Sequence, residues 1–388
     1  QSTADLYCLF YEKGNQILRM NGVLGYITSN KWMRSDYGKK LRNFLLEETT
    51  PYILLDLGSG IFEGATVDSN ILLFEKNKSF DKNIKAIDLS QQTSFIDFSV
   101  YDNLKVEVRY KKDEIWTIEN PADKVIKTKI EEKGIELKEW GLKINYGVKT
   151  GLNEAFVINQ KRRDQFLLED PNNSDILVPL LRGRDINRYF SSFENLYLIN
   201  THNGYDQKCR VNIDNYPTIK RHLERYIEKL EKRGDKGATP FNLRNCAYIE
   251  DFFKTNIYYS DISSKLSFSL EKNYFTNNTG YYIRTSSKYL LSILNSRIID
   301  FYYKKISAQL GESGVRNFTI YIEKIPIPKI SLNSEDLYEE KADQMLALNK
   351  DLQELSSKFQ RNLQRQFPER LEKLPTKFQN WYTLCFAD

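Results

Sequence analysis

A chain of 388 residues, 40% of them apolar, is too long for one ordinary core, so two or more domains are expected. No stretch approaches the roughly 18 consecutive apolar residues of a membrane span, and no membrane partner is expected. The cysteines Cys8, Cys209, Cys246 and Cys385 are scattered without a CxxC pair, and only His202 and His222 carry imidazoles, so no metal site is expected and the thiols read as reduced. The chain starts at Gln1 with no charged-then-apolar leader, which reads as a fragment without a signal peptide. Net charge is +5 and unevenly spread. Residues 1–140 hold 20 basic and 22 acidic side chains, a net of −2, and residues 331–388 hold 8 and 10, again −2. Residues 141–330 hold 29 and 20, a net of +9. A basic middle between two near-neutral parts is the footprint of a polyanion partner, or of surface lysines kept for solubility.

In chain order, Leu6, Leu9, Phe10, Ile17 and Leu18 recur near helical spacing, and Asn21-Gly22 ends that helix. Val23–Thr28 is a short apolar run that predicts a buried strand. A polar loop over 29–38 leads to a helix with Leu41, Phe44 and Leu45 on one face, and strands are predicted at 53–57 and 69–74. Strand, helix, strand, strand indicates a three-layer α/β piece with no glycine-rich loop before it. Residues 85–89 and 106–110 are further β-like runs, and 111–140 is assigned as a linker. There Glu131-Glu132-Lys133 and Glu136-Leu137-Lys138 match an acidic-x-Lys nuclease fragment, but a charge-mixed helix in water explains them as well. Tyrosine and asparagine become frequent from 141. Amphipathic helices are predicted over 218–232 and 287–303, and Pro326 and Pro328 close the segment. Beyond it Met345, Leu348, Leu352, Leu355 and Phe359 step 3-4-3-4 through Leu363 to Phe367, a seam that asks for one partner helix. Residues 371–386, folding back after Pro368, could supply it.

Three stretches in this order resemble the TaqI-like and type IIG adenine-N6 DNA methyltransferases. The first is Ala4–Phe10, then Gly22–Trp32 (GVLGYITSNKW), then Leu41–Leu45. The second is Ile61–Ile71 (IFEGATVDSNI). The third is Gly147–Phe156 (GVKTGLNEAF) with Leu181–Ile186 (LRGRDI), Leu290–Ser296 and Ile325–Pro328. The departure from the family is equally specific. Its Asn-Pro-Pro-aromatic motif is missing, since the chain holds no Pro-Pro dipeptide, and so is the glycine-rich segment that cradles S-adenosylmethionine.

The resemblance implies the roles of several residues. Phe10 matches a position that packs against the cofactor's adenine ring; a core phenylalanine is the plainer reading. Phe62 matches the ring that stacks on an extruded adenine, because N6 cannot be methylated inside a duplex; a loop anchored in the core is its alternative. Lys31 and Arg34 lie on the loop after the first strand, where phosphate contact or a solvated charge are both open. Lys149 sits in a glycine-bounded turn where backbone and side chain can approach DNA. Arg182, Arg184 and Arg188 cluster within seven residues, suited to guanine edges or phosphate, or to an ion pair with Asp185. Gly311, Gly314 and Arg316 mark a loop that could reach a groove. Asn153, Asn277 and Asn278 could read adenine or simply form turns.

The expected fold is an α/β methyltransferase remnant at 1–110, the last three strands of a Rossmann-like sheet. A linker at 111–140, an α+β target recognition domain at 141–330 and a helical hairpin at 331–388 follow it. The expected function is sequence-specific recognition of double-stranded DNA for adenine-N6 methylation, in the cytoplasm of a bacterium with a type II restriction-modification system. The catalytic motif and most of the S-adenosylmethionine site would lie in a missing N-terminal part. A self-standing specificity subunit docking on a companion catalytic chain is the alternative, and an RNA methyltransferase fragment is a more distant one.

Overall fold

The computed structural model describes residues 5–62, 67–78, 83–90, 105–118, 121–310, 314–367, 378 and 381–383. They fall into two compact units, 1–132 and 133–388.

The first unit is a sheet with helices on one face. Its elements are α1 (Tyr7–Ile17), β1 (Val23–Ser29), α2 (Lys39–Glu48), β2 (Thr50–Gly58), β3 (Ser69–Glu75), β4 (Ile84–Asp88), β5 (Val106–Val108) and α3 (Pro121–Lys133). The strand order is β1-β3-β2-β4-β5. β3 runs antiparallel to both β1 and β2, so those two are parallel to each other although they never touch. The expected three strands are therefore all present, although β1, expected to be buried, holds no buried residue because it lies at the edge; the runs near 85 and 106 extend them to five. Two-residue periodicity sorts their side chains. Tyr26, Leu72, Leu54 and Ala86 share one cross-strand row, which faces a core that includes Tyr11, Trp32, Leu41, Leu45 and Trp116. On the opposite face Ile71, Leu55 and Leu73 are only partly covered, and Ile27 is exposed. Among the described residues β1 pairs on one side only, so it is a sheet edge.

The linker assigned to 111–140 is divided between the units. Trp116 is fully buried, stacks on Tyr110 with centroids 4.7 Å apart, and donates its backbone N–H to Met33 O at 2.9 Å. At the other end β6 (Ile135–Glu136) pairs with β20 (Pro326–Ile327) in the second unit. Only α3 between them runs free of a sheet; its residues 131–133 lie in the expected charge-mixed helix, whereas Glu136-Leu137-Lys138 falls on β6 and a following 3-10 turn instead.

In the second unit β7 (Ile144–Tyr146), α4 (Asn153–Phe156), β8 (Val157–Asn159), α5 (Gln160–Glu169), β9 (Leu177–Leu181), β10 (Ile186–Asn187), β11 (Phe190–Ser191) and β12 (Leu196–Ile199) come first. The short helices α6 (Pro217–Glu224) and α7 (Ile227–Lys232) follow. Then come β13 (Asn256–Ser260), β14 (Ile262–Ser263), β15 (Phe268–Glu271), β16 (Phe275–Thr276), β17 (Gly280–Ile283), α8 (Lys288–Leu294), α9 (Arg297–Ile306), β18 (Ala308–Leu310), β19 (Gly314–Arg316), α10 (Thr319–Ile322), β20 and α11 (Leu332–Gln366). Two four-stranded sheets, β16-β9-β12-β8 and β15-β13-β17-β7, carry most of the core, and a three-stranded β14-β19-β18 sheet lies beside them.

Both long helices expected here are broken. The first stops at Arg225–Tyr226. The second stops where Asn295 clips the edge of β15: its Nδ2 donates to Phe268 O at 2.9 Å and its Oδ1 accepts the Phe268 N–H at 3.1 Å. Ser296 then caps α9 through the Ile299 N–H. A side chain that pairs with a neighbouring strand competes with helix continuation, a signal that periodicity cannot carry.

The seam read on α11 is split. Met345 packs on the core while Leu348 and Leu355 face solvent, and among the described side chains of this helix Ala342 and Ser356 are the buried ones. Trp381 does return to it, 4.8 Å from the Phe359 ring. Apart from Phe378 and Trp381–Thr383, the second helix expected at 371–386 lies outside the described residues.

Candidate nucleic-acid interface

Because β1 and β2 are parallel, the loops that leave their C-terminal ends emerge from the same end of the sheet, where open α/β sheets place ligands. The loop after β1 carries Lys31 and Arg34, and the segment after β2 carries Phe62. A buried polar network ties the two strand ends together. Asp56, 1% exposed, accepts from Asn30 Nδ2 at 2.7 Å and from the Arg34 guanidinium at 2.8 Å. Asn70 Oδ1 accepts from Trp32 Nε1 at 3.2 Å and Thr28 Oγ1 at 3.1 Å. Arg42 braces the loop from below, donating to the Trp32, Ser35 and Glu114 carbonyls. Burial pushes its guanidinium pKa down. Arg34 is thus half committed to architecture, while Lys31 is exposed. Phe10 and Phe62 are 53% and 47% exposed, so neither is a core anchor, the plainer reading of Phe10 and the alternative one of Phe62.

In the second unit five loops meet around Thr279. Asn277 Oδ1 accepts from both the N–H and the hydroxyl of Thr279, closing a tight turn. The Val148 N–H donates to Thr276 O at 2.7 Å and the Gly147 N–H to Gly280 O at 2.9 Å. The Gly183 N–H donates to Thr279 Oγ1 at 2.9 Å, and the Asp261 N–H to Thr279 O at 2.9 Å. Asn317 N–H in turn donates to Asp261 O at 2.8 Å. The approach is close enough to require glycine. A Cβ on Gly147 would lie 2.0 Å from Asn277 O, and one on Gly183 would lie 2.2 Å from Thr279 O.

This hub joins the segments that carry Lys149, Arg184, Asn278 and Arg316. Arg184 and Arg316 are exposed, and Lys149 lies 5.2 Å over the Tyr146 ring. Arg316 sits 5.2 Å over Phe318, itself 41% exposed. Burial raises the Asp261 carboxyl above its ordinary value, and Arg316 opposes that. The arrangement presents cations beside aromatic faces, the combination suited to phosphate and base edges.

The other arginines divide. Arg182 lays its fork on Asp185, with Nε–Oδ2 at 2.9 Å and NH2–Oδ1 at 2.7 Å, and this pairing raises its pKa. It builds the loop. Arg188 sits 5.5 Å from the ring of Tyr189, a residue with φ +67, at the turn between β10 and β11. Asn153 accepts from Thr150 Oγ1 at 2.6 Å and Asn277 makes the hub turn, so both read as turn residues. Gly311 lies outside the described residues. Sequence reasoning missed Thr279 and Asn277 as the hub; Asn277-Asn278-Thr279-Gly280 was the available turn signal. Among the described residues no cluster of His, Cys, Asp and Glu could hold a metal ion, and no helix is long and apolar enough to cross a membrane.

Residues 1–62 match the family profile of the Eco57I restriction-modification methylase, residues 178–327 that of the TaqI-like C-terminal specificity domain, and residues 331–388 a domain of unknown function. The chain therefore carries an Eco57I-type methylase segment and a TaqI-like specificity domain, as its motifs led us to expect. It is 23% identical over 353 residues to the type II methyltransferase M.BstVI of Geobacillus stearothermophilus, covering 84% of this chain and 61% of that one. It is 21% identical to M.PaeR7I of Pseudomonas aeruginosa, covering 90% and 62%. It is 28% identical over 163 residues to the restriction enzyme and methyltransferase RM.Eco57I of Escherichia coli, 39% of this chain and 16% of that one. The chain thus spans less than two thirds of the length of these relatives. In fold it is similar to the type IIL restriction-modification enzyme MmeI, solved with DNA, at a TM-score of 0.57 and 15% identity over 90% of this chain and 45% of that one.

Proposed function

We propose that this chain is the recognition-bearing part of an S-adenosylmethionine-dependent adenine-N6 DNA methyltransferase of a type II restriction-modification system. The second unit binds duplex DNA sequence-specifically through Lys149, Arg184 and Arg316, with Asn278 beside them. The observation that carries the reading is the presence of a methylase segment and a TaqI-like specificity domain on one chain. The first unit supports it. An antiparallel strand lies between two parallel ones, with β1 left at the edge, the order that the resemblance implies for the last three strands of the methyltransferase sheet. The exposed ring of Phe62 suits a platform for an extruded adenine. The exposed ring of Phe10 is the residue we assign to the adenine of the methyl donor, and the donor, when bound, supplies the transferred methyl group.

The rest of the donor site and the Asn-Pro-Pro-aromatic motif belong to a preceding segment, or to a companion catalytic chain. The test is methyl transfer from labelled S-adenosylmethionine to duplex DNA by the 388-residue chain alone. We expect none above a no-protein control, together with duplex binding that weakens as salt rises. Methylation by this chain alone would overturn the division of labour. Equal affinity for duplex RNA would overturn the substrate.

A further inference from the structure

A buried cation lies beneath the Lys149 turn. Arg233, just past α7, is 7% exposed, and no described carboxylate forms an ion pair with it. Asp235, the acid that most favours its charge, is paired with Arg244 at 2.8 Å. Backbone carbonyls take the place of a carboxylate. NH1 donates to Thr150 O, and NH2 donates to Asn242 O and, at 3.0 Å, to Pro240 O. The guanidinium lies 4.5 Å from the Phe156 ring centroid. Gly151, with φ +67, rests directly on this assembly: a Cβ there would be 3.0 Å from Asp235 O and 3.2 Å from Arg233 Cδ.

Burial pushes the guanidinium pKa down to about 10, so it is a cation at neutral pH. Burying an arginine without a carboxylate is unfavourable, and apolar packing would stabilise this site more cheaply. What the arginine provides instead is geometric: one planar fork joins two loops that no other described hydrogen bond joins at Thr150 O. It also brings a second positive charge to the turn that carries Lys149, itself half-buried.

We propose that Arg233 is a positioning residue for DNA binding. It grips the Thr150 carbonyl, so fixing the Gly147–Gly151 turn that presents Lys149 to a phosphate of duplex DNA. The proposal rests on reading the second unit as a duplex-DNA binder.

The experiment uses the full 388-residue chain with the Arg233→Met, Arg233→Lys and Lys149→Ala substitutions and the Arg233→Met/Lys149→Ala double variant. Amide hydrogen exchange is read at residues 149–152, and affinity for a labelled mixed-sequence duplex is read across a salt series. Exchange at the turn is expected to accelerate in Arg233→Met with cooperative melting retained. The salt slope is expected to fall by about 0.9, as for Lys149→Ala, because one phosphate contact is lost. The double variant is expected to bind no more weakly than the weaker single one. Lysine keeps the charge but cannot bridge both loops, so Arg233→Lys shows the same changes to a smaller extent, and it decides the matter should the methionine variant fail to fold. Unchanged exchange in the variants overturns the clamp. Accelerated exchange with additive losses in the double variant overturns the role in DNA binding. A parent chain that binds no duplex at all overturns the DNA-binding reading itself, while the exchange measurement still decides whether Arg233 holds the turn.

Discussion

Arg182 and Arg184 stand two positions apart in Leu181-Arg182-Gly183-Arg184-Asp185 and do different work. The fork of Arg182 neutralises Asp185, which is 3% exposed. Removing one partner of such a pair leaves an uncompensated buried charge, which costs about 3 kcal/mol. Arg182→Ala is therefore expected to lower the unfolding free energy read from urea denaturation by that order. Arg184→Ala removes an exposed cation that, among the described residues, pairs with no carboxylate. It should leave the melt within about 0.5 kcal/mol and weaken duplex binding instead. An Arg184→Ala chain with full affinity, measured by anisotropy, would remove Arg184 from the interface. Glycine is as specific as charge here. Gly147→Ala forces a Cβ into the Asn277 carbonyl, so the turn must shift; we expect a loss of roughly 2 kcal/mol or more in stability and disrupted DNA binding.

The elements show which signals local sequence carries. Val23–Ser29, 50–58 and 69–75 were legible because apolar runs bounded by turns have few other solutions. The break at Asn295 and the division of residues 111–140 were not. Both depend on partners far along the chain, Phe268 for the first and Trp32 and Pro326 for the second. The candidate site was legible by motif but not by role. Lys149, Arg184 and Arg316 could be named from sequence, whereas the hub at Thr279 and the diversion of Arg182 exist only once distant loops meet.

α6 carries a titration of its own. His222 is 7% exposed, its Nε2 lies 3.0 Å from the Ala155 carbonyl, and burial lowers its pKa from the ordinary 6.5. Its folded pKa lies below its unfolded one, so the stability it permits is present above about pH 6.5. That stability is lost as pH falls, because the unfolded chain takes up the proton first. Melting temperature should therefore drop below pH 6.5, and less steeply in His222→Gln, which keeps a donor for Ala155 O. Identical pH profiles for the two chains would exclude His222 as the cause.

At the scale of the whole molecule, the first unit is a sheet covered well on one face, with β1 and β5 as its terminal strands. Among the described residues β1 has no second neighbour, and Val23 and Ile27 are 52% and 44% exposed along it. Leu6, Leu9, Phe10, Ile17 and Met20, on and around α1, are exposed as well. An apolar edge with unpaired amides and carbonyls recruits another strand. On the proposed reading, its natural cover is the part of the methyltransferase sheet that leads into the catalytic motif. With that part withheld, the 388-residue chain is expected to self-associate in a concentration-dependent way through this edge. Ile27→Lys places a charge in the row formed by Ile27, Ile71 and Leu55 without touching the core row beneath it. It should shift sedimentation toward the monomer while the melting temperature stays within a few degrees. Adding the catalytic part, in cis or as a separate chain, should protect the amides of Val23–Ser29 from exchange, and Ile27→Lys should weaken that protection. A chain that stays monomeric at high concentration, with those amides already protected, would show that the edge is complete as it stands. The reading of a divided methyltransferase sheet would then fail.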